Sequence, residues 1–309
     1  MQTRPLGKTG LELSLLGFGA SPLGGVFGDI DENEAIATVH AAVDSGVNYF
    51  DVAPYYGITK AETVLGRALR TVPRRLYTLS TKVGRYGPDD FDFSAHRIKR
   101  SVDESLQRLN IDSIDLIVCH DIEFVSLDQI VGEALPTLEA LRVEGKVRYI
   151  GASGLPIKPL AAVVEQAPLH FVLSYCHYSL LDTTLADWLE FFNARHIGVI
   201  NASPLAMGLL SDIGPPTWHP APPELKSAVE DIKRYCREHD VDLARIALQF
   251  ATALPGICTT LIGMHNRTQL QRNLDSISTA PDTRHVQAIT ELLASRRNLT
   301  WPSGLPENR

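Results

Sequence analysis

The chain has 309 residues, 44% of them hydrophobic and 21% charged, the balance of a globular protein with a sizeable core. Its net charge of −7 disfavours nucleic acid and anionic membrane as partners, and no apolar stretch approaches the ~20 residues that a membrane span needs. The first apolar run is broken by Gly17 and Gly19 and no cleavage site follows it, so a cytoplasmic protein is expected.

Residues 1–12 carry GKTG between short β-like pieces, which predicts a small hairpin placed to cap the bottom of the fold. Eight β-rich runs then follow, at 13–21, 47–53, 76–83, 113–120, 147–153, 171–178, 197–205 and 259–264. Several are nearly continuously apolar, as strands buried on both faces should be. Amphipathic segments separate them. The segment 31–46 opens on Asp31 as N-cap, with Glu34 three residues later, and stops at Gly46. The segment 94–110 begins at Ser94 and aligns Ile98, Val102, Leu106 and Leu109 on one stripe. The segment 126–146 is expected to kink at Pro136. Eight strands alternating with helices is the arithmetic of an α/β (β/α)8 TIM barrel, here with an N-terminal β-hairpin and extra C-terminal helices, in one domain over 1–309. The proline-rich stretch 214–226 reads as a rigid loop over the active face, and the Pro/Gly-rich tail 298–309 as a segment folding back over the mouth. Cys119, Cys176, Cys236 and Cys258 show neither CxxC spacing nor a metal-ligand pattern, and read as reduced apolar side chains.

Three of the runs carry a functional side chain at or near their end: Asp51, Lys82 and His120. Tyr56 lies in the loop just past the first. In a parallel barrel all strand ends emerge on one face, so the four should converge. A tyrosine of pKa about 10 is a poor base unaided. An ammonium at Lys82 would favour its phenolate, a carboxylate at Asp51 would orient that ammonium, and His120 could bind the reacting oxygen. The set suits proton transfer at an alcohol coupled to hydride transfer. Separately, each residue has a structural role open to it: a helix cap, packing rings, a solvated lysine, a local His120–Asp121 pair. GFGASPLG at 17–24 is no dinucleotide fingerprint, because its third glycine is misplaced. A metal-dependent hydrolase would want paired histidines at a strand end, and no metal site is expected here.

The segments RPLGKTGLELSLLGFGA, FDVAPYYG, TLSTKVG and LIVCHD resemble the aldo-keto reductase family over essentially the whole chain. The resemblance implies Asp51, Tyr56, Lys82 and His120 as the catalytic set. It implies a nicotinamide cofactor on Gly19, Ala20, Ser153, Tyr175, Ser203, Leu205, Met207, Gly263, Met264, Asn266, Gln269 and Asn273. Loop segments further suggest NAD-dependent oxidation of L-galactose at its anomeric carbon to the lactone, a step of ascorbate synthesis in plants. Oxidation of L-fucose or a similar aldose is the alternative, and a cofactor-binding regulatory subunit is the alternative of another class. By position, Phe27, Tyr55, Phe124, His177 and Trp218 are candidates to meet the sugar.

Three departures stand out. The family's Ser-Asn pair reads Ser153-Gly154. The aromatic residue before its SPL motif is Ala202. The lysine and arginine that grip a 2′-phosphate in members preferring NADP fall at Gly263 and Gln269, which favours NAD.

Overall fold

The computed structural model describes residues 1–309. Eight parallel strands close into a barrel in the order β10-β3-β4-β5-β6-β7-β8-β9. They are β3 (Leu16–Gly19), β4 (Tyr49–Asp51), β5 (Thr78–Val83), β6 (Ile114–Cys119), β7 (Val147–Gly154), β8 (Phe171–Tyr175), β9 (Gly198–Ala202) and β10 (Thr259–Gly263). The expected hairpin is β1 (Thr3–Pro5) against β2 (Glu12–Ser14), antiparallel. It caps the bottom. Gly7, at φ +52, approaches so closely that a Cβ there would stand 2.5 Å from the His196 carbonyl and 2.8 Å from the Gly198 nitrogen, just where β9 begins. Arg4 donates to the carbonyls of Thr252, Leu254 and Ile257, below β10.

Alternation along the strands explains where the chemistry ends up. Tyr49, Leu116, Val118, Phe171, Leu173, Ile200 and Leu261 form one buried cluster inside the barrel, with Leu6 and Leu13 of the hairpin. Gly151 keeps space for the Phe171 ring, which a Cβ would meet at 2.6 Å. Two residues beyond Tyr49 is Asp51, and two beyond Val118 is His120. The period that buries the lower layers therefore turns these polar residues into the mouth.

The helices cover the outer face of the barrel. Asp31 caps α1 (Glu32–Asp44), accepting from the amides of Asn33 and Glu34, and Ser94 caps α3 (Ala95–Leu109) through the Arg97 amide. Between them lies α2 (Lys60–Leu69). The kink expected at Pro136 is taken up as a π turn over Ile130–Ala134, immediately before the helix Leu135–Val143. A wider turn there spares a ladder that proline cannot complete. Seven of the eight strands are shorter than the runs in the sequence suggested. The run 171–178 stops at Tyr175 because Cys176 takes φ +65, so His177 and Tyr178 lie in a loop rather than at a strand end. The extra helix Thr283–Leu293 packs on Pro223–Glu238 through Ile289, Leu293, Val229 and Ile232. All four cysteines are buried free thiols.

Candidate active site

Asp51, Lys82, Tyr56 and His120 meet at the C-terminal mouth. The Lys82 ammonium, 1% exposed, lies 2.6 Å from Asp51 Oδ2 and donates to the Val52 carbonyl at 2.9 Å. The other Asp51 oxygen accepts from Ser80 Oγ at 2.6 Å, and Ser80 meets the Tyr49 hydroxyl at 2.9 Å. A buried charge pair is tolerated when its remaining lone pairs are satisfied, and this carboxylate is. The ammonium stands 4.9 Å from the centroid of the Tyr56 ring, whose edge-on partner is His120 at 5.6 Å. Tyr55 lies 6.2 Å from both rings.

The electrostatics correct one expectation. Burial pushes the Tyr56 hydroxyl up to about 12; Lys82 pulls it down, while Asp51 and Asp121 push it further up. The ammonium does favour the phenolate, but desolvation is the larger effect. Burial likewise drives the His120 imidazole well below its ordinary value, with Lys82 and Arg85 acting in the same direction, so the ring is neutral across physiological pH. Its Nδ1 is buried without a hydrogen-bond partner. For Lys82, burial opposes the charge, but Asp51 and Tyr56 more than offset it and the amine rises above its usual value.

Two charged residues at this mouth, Arg85 and Glu123, were not anticipated, and Asp121 was expected only as a local partner of His120. Arg85, in the loop after β5, pairs with Asp121 at 2.5 Å, and its guanidinium lies 4.1 Å over the Tyr55 ring. Asp121 Oδ2 is 3.7 Å from His120 Nε2, so the local pairing of these neighbours is weaker than the Arg85 bond. Glu123, fully buried, accepts from the Leu155 amide at 3.1 Å and from Ser303 of the tail at 2.9 Å. The available signal was an arginine three residues past Lys82 and two acids within three residues of His120.

Glu123 also explains the missing asparagine. A Cβ on Gly154 would stand 2.7 Å from Glu123 Oε2, an oxygen with no partner of its own. The side-chain space at 154 is therefore taken. Burial and the nearby Asp121 push the Glu123 carboxyl up to about 8. Between its ordinary value and 8 the folded chain holds a proton that the unfolded chain has released, so stability falls as pH rises through that window. Glu123→Gln removes the titration and keeps an acceptor for Leu155 and Ser303. It should raise stability by about 1–3 kcal/mol at pH 8 relative to its effect at pH 5. Equal shifts in Tm at the two pH values would sink the idea.

The other positions sort by geometry. Tyr175 ends β8 directly opposite Ala202 of β9. Gly19 and Gly263 pair in the ladder between β3 and β10, with Ala20 buried just beyond. Ser153 Oγ accepts from the Asp121 amide at 3.3 Å. After β9, Ser203, Ala206, Met207 and Gly208 all take positive φ. Leu205 is right-handed and Ala206 left-handed, the pairing that makes a backbone nest for an anion. Asn266 caps the helix Arg267–Ile277 by accepting from the Gln269 amide; Gln269 in turn accepts from the His265 amide, and Asn273 lies one turn further on. Met264 is different: its side chain is wholly buried in the core with Phe18 and Phe50 and is not available to a ligand. His177 has one ring nitrogen already engaged. It is 6% exposed, and its Nδ1 is tied to Asp182 at 2.9 Å and Thr184 at 3.0 Å, which braces its loop and leaves Nε2 as the nitrogen a ligand could meet.

Phe27 and Trp218 meet at 5.9 Å, joining the loop after β3 to the proline-rich loop after β9 across the end of β10. The rigid loop therefore does lie on the active face. Phe124 stacks on Phe91 at 4.5 Å beside Arg85. The tail folds back as expected: Asn308 donates to the carbonyls of Glu123 and Val125, and the Leu305 amide to that of Glu123.

The aldo/keto reductase family model matches residues 15–294. An L-galactose dehydrogenase of Arabidopsis thaliana is 46% identical, the match covering 100% of this chain and 99% of that protein. A D-threo-aldose 1-dehydrogenase of Pseudomonas is 32% identical over 86% of this chain and 90% of its own. Among solved structures, the holo form of an aldo-keto reductase from Bacillus halodurans superposes with a TM-score of 0.79 at 28% identity, covering 94% of this chain and 96% of that one.

Proposed function

The chain belongs to the aldo/keto reductase family, whose members use nicotinamide cofactors, and on that footing we propose that it is an NAD-dependent aldose 1-dehydrogenase acting on L-galactose. The observation that carries the reading is the end-to-end likeness to a dehydrogenase of that sugar, together with a complete Asp51–Tyr56–Lys82–His120 set at the mouth. The lactone produced is the kind of compound that ascorbate synthesis consumes. The protein would work in the cytoplasm as one unit over 1–309; no helix is long and apolar enough to cross a membrane.

The residues fit the cofactor. The nest at Leu205 and Ala206 suits a diphosphate, and Gly19, Ala20 and Ser203 line its approach from β3 and β9. Gly263, Asn266, Gln269 and Asn273 suit the adenosine end. Tyr175 offers a ring beside the position where Ala202 lacks one. When bound, the nicotinamide accepts hydride. The chain itself handles the proton. Tyr56, as phenolate, takes it from the anomeric hydroxyl. Lys82, kept charged by Asp51, stabilises that phenolate. Neutral His120 hydrogen-bonds the reacting oxygen without competing for the proton. Phe27, Tyr55, Phe124 and Trp218 supply apolar surface for the sugar.

NAD rather than NADP is favoured by how the nearby cations are used. A side chain at 263 would meet Pro22 Cγ at 2.9 Å. Burial pushes the His265 imidazole down and keeps it neutral. Arg267 is clamped by Glu34, which accepts from its Nη2 at 2.9 Å, its Nε at 3.1 Å and its backbone amide at 3.0 Å. A 2′-phosphate would meet a neutralised arginine and an extra carboxylate. Glu34→Gln should therefore raise kcat/KM with NADP by roughly 3- to 10-fold, with little change for NAD. An unchanged NADP:NAD ratio would show that Arg267 does not face the 2′ position.

The test is an initial-rate panel of L-galactose, L-fucose, D-arabinose and D-galactose with NAD and with NADP, followed by NADH absorbance. L-Galactose with NAD should give the highest kcat/KM. Preference for L-fucose would move the substrate and keep the reaction. Reduced cofactor with none of the sugars would favour a regulatory subunit instead.

A further inference from the structure

The Arg85–Asp121 pair is costly and the proton chemistry does not call for it. Its side chains are 16% and 5% exposed. Buried ion pairs return little stability for the desolvation of two charges. Asp121 also pushes Tyr56 up, away from the phenolate, and burial pushes the Asp121 carboxyl itself up against the opposing pull of Arg85. The backbone at Asp121 takes φ +55, a left-handed conformation that aspartate accepts more readily than most residues and that sets the direction of its side chain. A charged pair that opposes the base, held next to His120, calls for a role in binding.

The geometry suggests which. Asp121 Oδ2 is 3.7 Å from His120 Nε2, the ring nitrogen that is not sealed in the interior. Vicinal sugar oxygens are about one hydrogen-bond length apart, so a sugar with its anomeric oxygen at Tyr56 and His120 brings a neighbouring oxygen to this pair. Arg85 spends one strong bond on Asp121; its contacts with the Gly87 and Pro88 carbonyls are both 3.4 Å. Donors thus remain for a ligand, and the carboxylate has lone pairs beyond the one Arg85 uses. The guanidinium is fixed by the Tyr55, Phe91 and Phe124 rings, at 4.1, 5.1 and 5.4 Å from their centroids. A donor beside an acceptor matches a hydroxyl, which accepts from one and donates to the other. It does not match the ring oxygen on the other side of the anomeric carbon, which can only accept.

We propose that Arg85 and Asp121 together read the hydroxyl on the carbon next to the one oxidised, and so set which aldoses the site accepts. This rests on the aldose reading above. A site built to bond a substrate hydroxyl rejects the analogue lacking it far more strongly than an apolar pocket does, because its own polar groups are left unpaired.

The test compares kcat/KM for L-galactose and 2-deoxy-L-galactose in the wild type, in Asp121→Asn and in Arg85→Met/Asp121→Asn. Asparagine tolerates the left-handed backbone. The double variant leaves no unpaired buried charge, and it decides the matter if the single one fails to fold. The wild type should prefer L-galactose by about 10²-fold or more. That preference should fall at least tenfold in Asp121→Asn and further in the double variant. A preference that persists while both rates drop together would mean that the pair only braces the loop, and would overturn the proposal, as would a wild type indifferent to the hydroxyl. A wild type that oxidises L-fucose and its 2-deoxy form instead carries the same comparison on that pair. A wild type that oxidises no aldose removes the aldose reading itself, and this proposal with it.

Discussion

Replacing Tyr56 with phenylalanine should lower kcat for aldose oxidation by about 10²- to 10⁴-fold, the usual contribution of a positioned acid–base group. The substitution removes one oxygen and keeps the ring that Lys82 and His120 pack against. NAD affinity and Tm should therefore stay close to the wild type. The pH profile adds a signature that simple misfolding would not give. The hydroxyl sits near 12 in the chain alone, so the reactive phenolate is a small fraction at neutral pH and grows as pH rises. Oxidation by the wild type should accelerate across pH 7 to 9, whereas the residual rate of Tyr56→Phe should be flat. His120 does not bend that profile, because its imidazole is already neutral over the range. Near-normal turnover in Tyr56→Phe would remove the tyrosine from its role.

Lys82→Met should be the most damaging single change to both folding and rate. The variant strands Asp51, 4% exposed, without the ammonium that now lies 2.6 Å away. Breaking a buried pair from one side costs about 3–5 kcal/mol, more than removing both charges. Turnover should fall by at least 10²-fold as well, because Tyr56 would then feel only burial and the two carboxylates that raise it. The double variant Asp51→Asn/Lys82→Met separates the effects. It should regain most of the lost stability, measured by denaturant unfolding, and none of the lost rate. If the double variant were as unstable as Lys82→Met alone, the pair would not be the coupled unit that its geometry suggests.

The barrel was largely legible because its signals are local. Each strand is a short apolar run between polar turns, and alternation alone places Asp51, Lys82 and His120 at the top of the interior. Strand ends were less legible, since a single positive φ, as at Cys176, stops a run that its composition would continue. The catalytic set was legible by type and position, but the direction of the Tyr56 shift was not. That direction depends on how tightly the mouth closes around the hydroxyl, which no spacing reveals. Arg85, Glu123 and the pairing of Asp121 with Arg85 stayed hidden for a related reason. Charged residues in loops usually face solvent, and these are drawn in by contacts distant in sequence: Arg85 by Asp121, and Glu123 by Ser303 and Asn308 of the tail. The Gly154 departure from the family's Ser-Asn pair could not be interpreted from the sequence. It became intelligible once Glu123 was found in the space that an asparagine would need.

Hydride transfer from the anomeric carbon is most directly tested by isotope transfer. L-Galactose carrying deuterium at C1 is incubated with the protein and NAD, and the reduced cofactor is examined by mass spectrometry. Essentially every molecule of NADH formed should carry one deuterium. NADH formed without the label would contradict oxidation at C1.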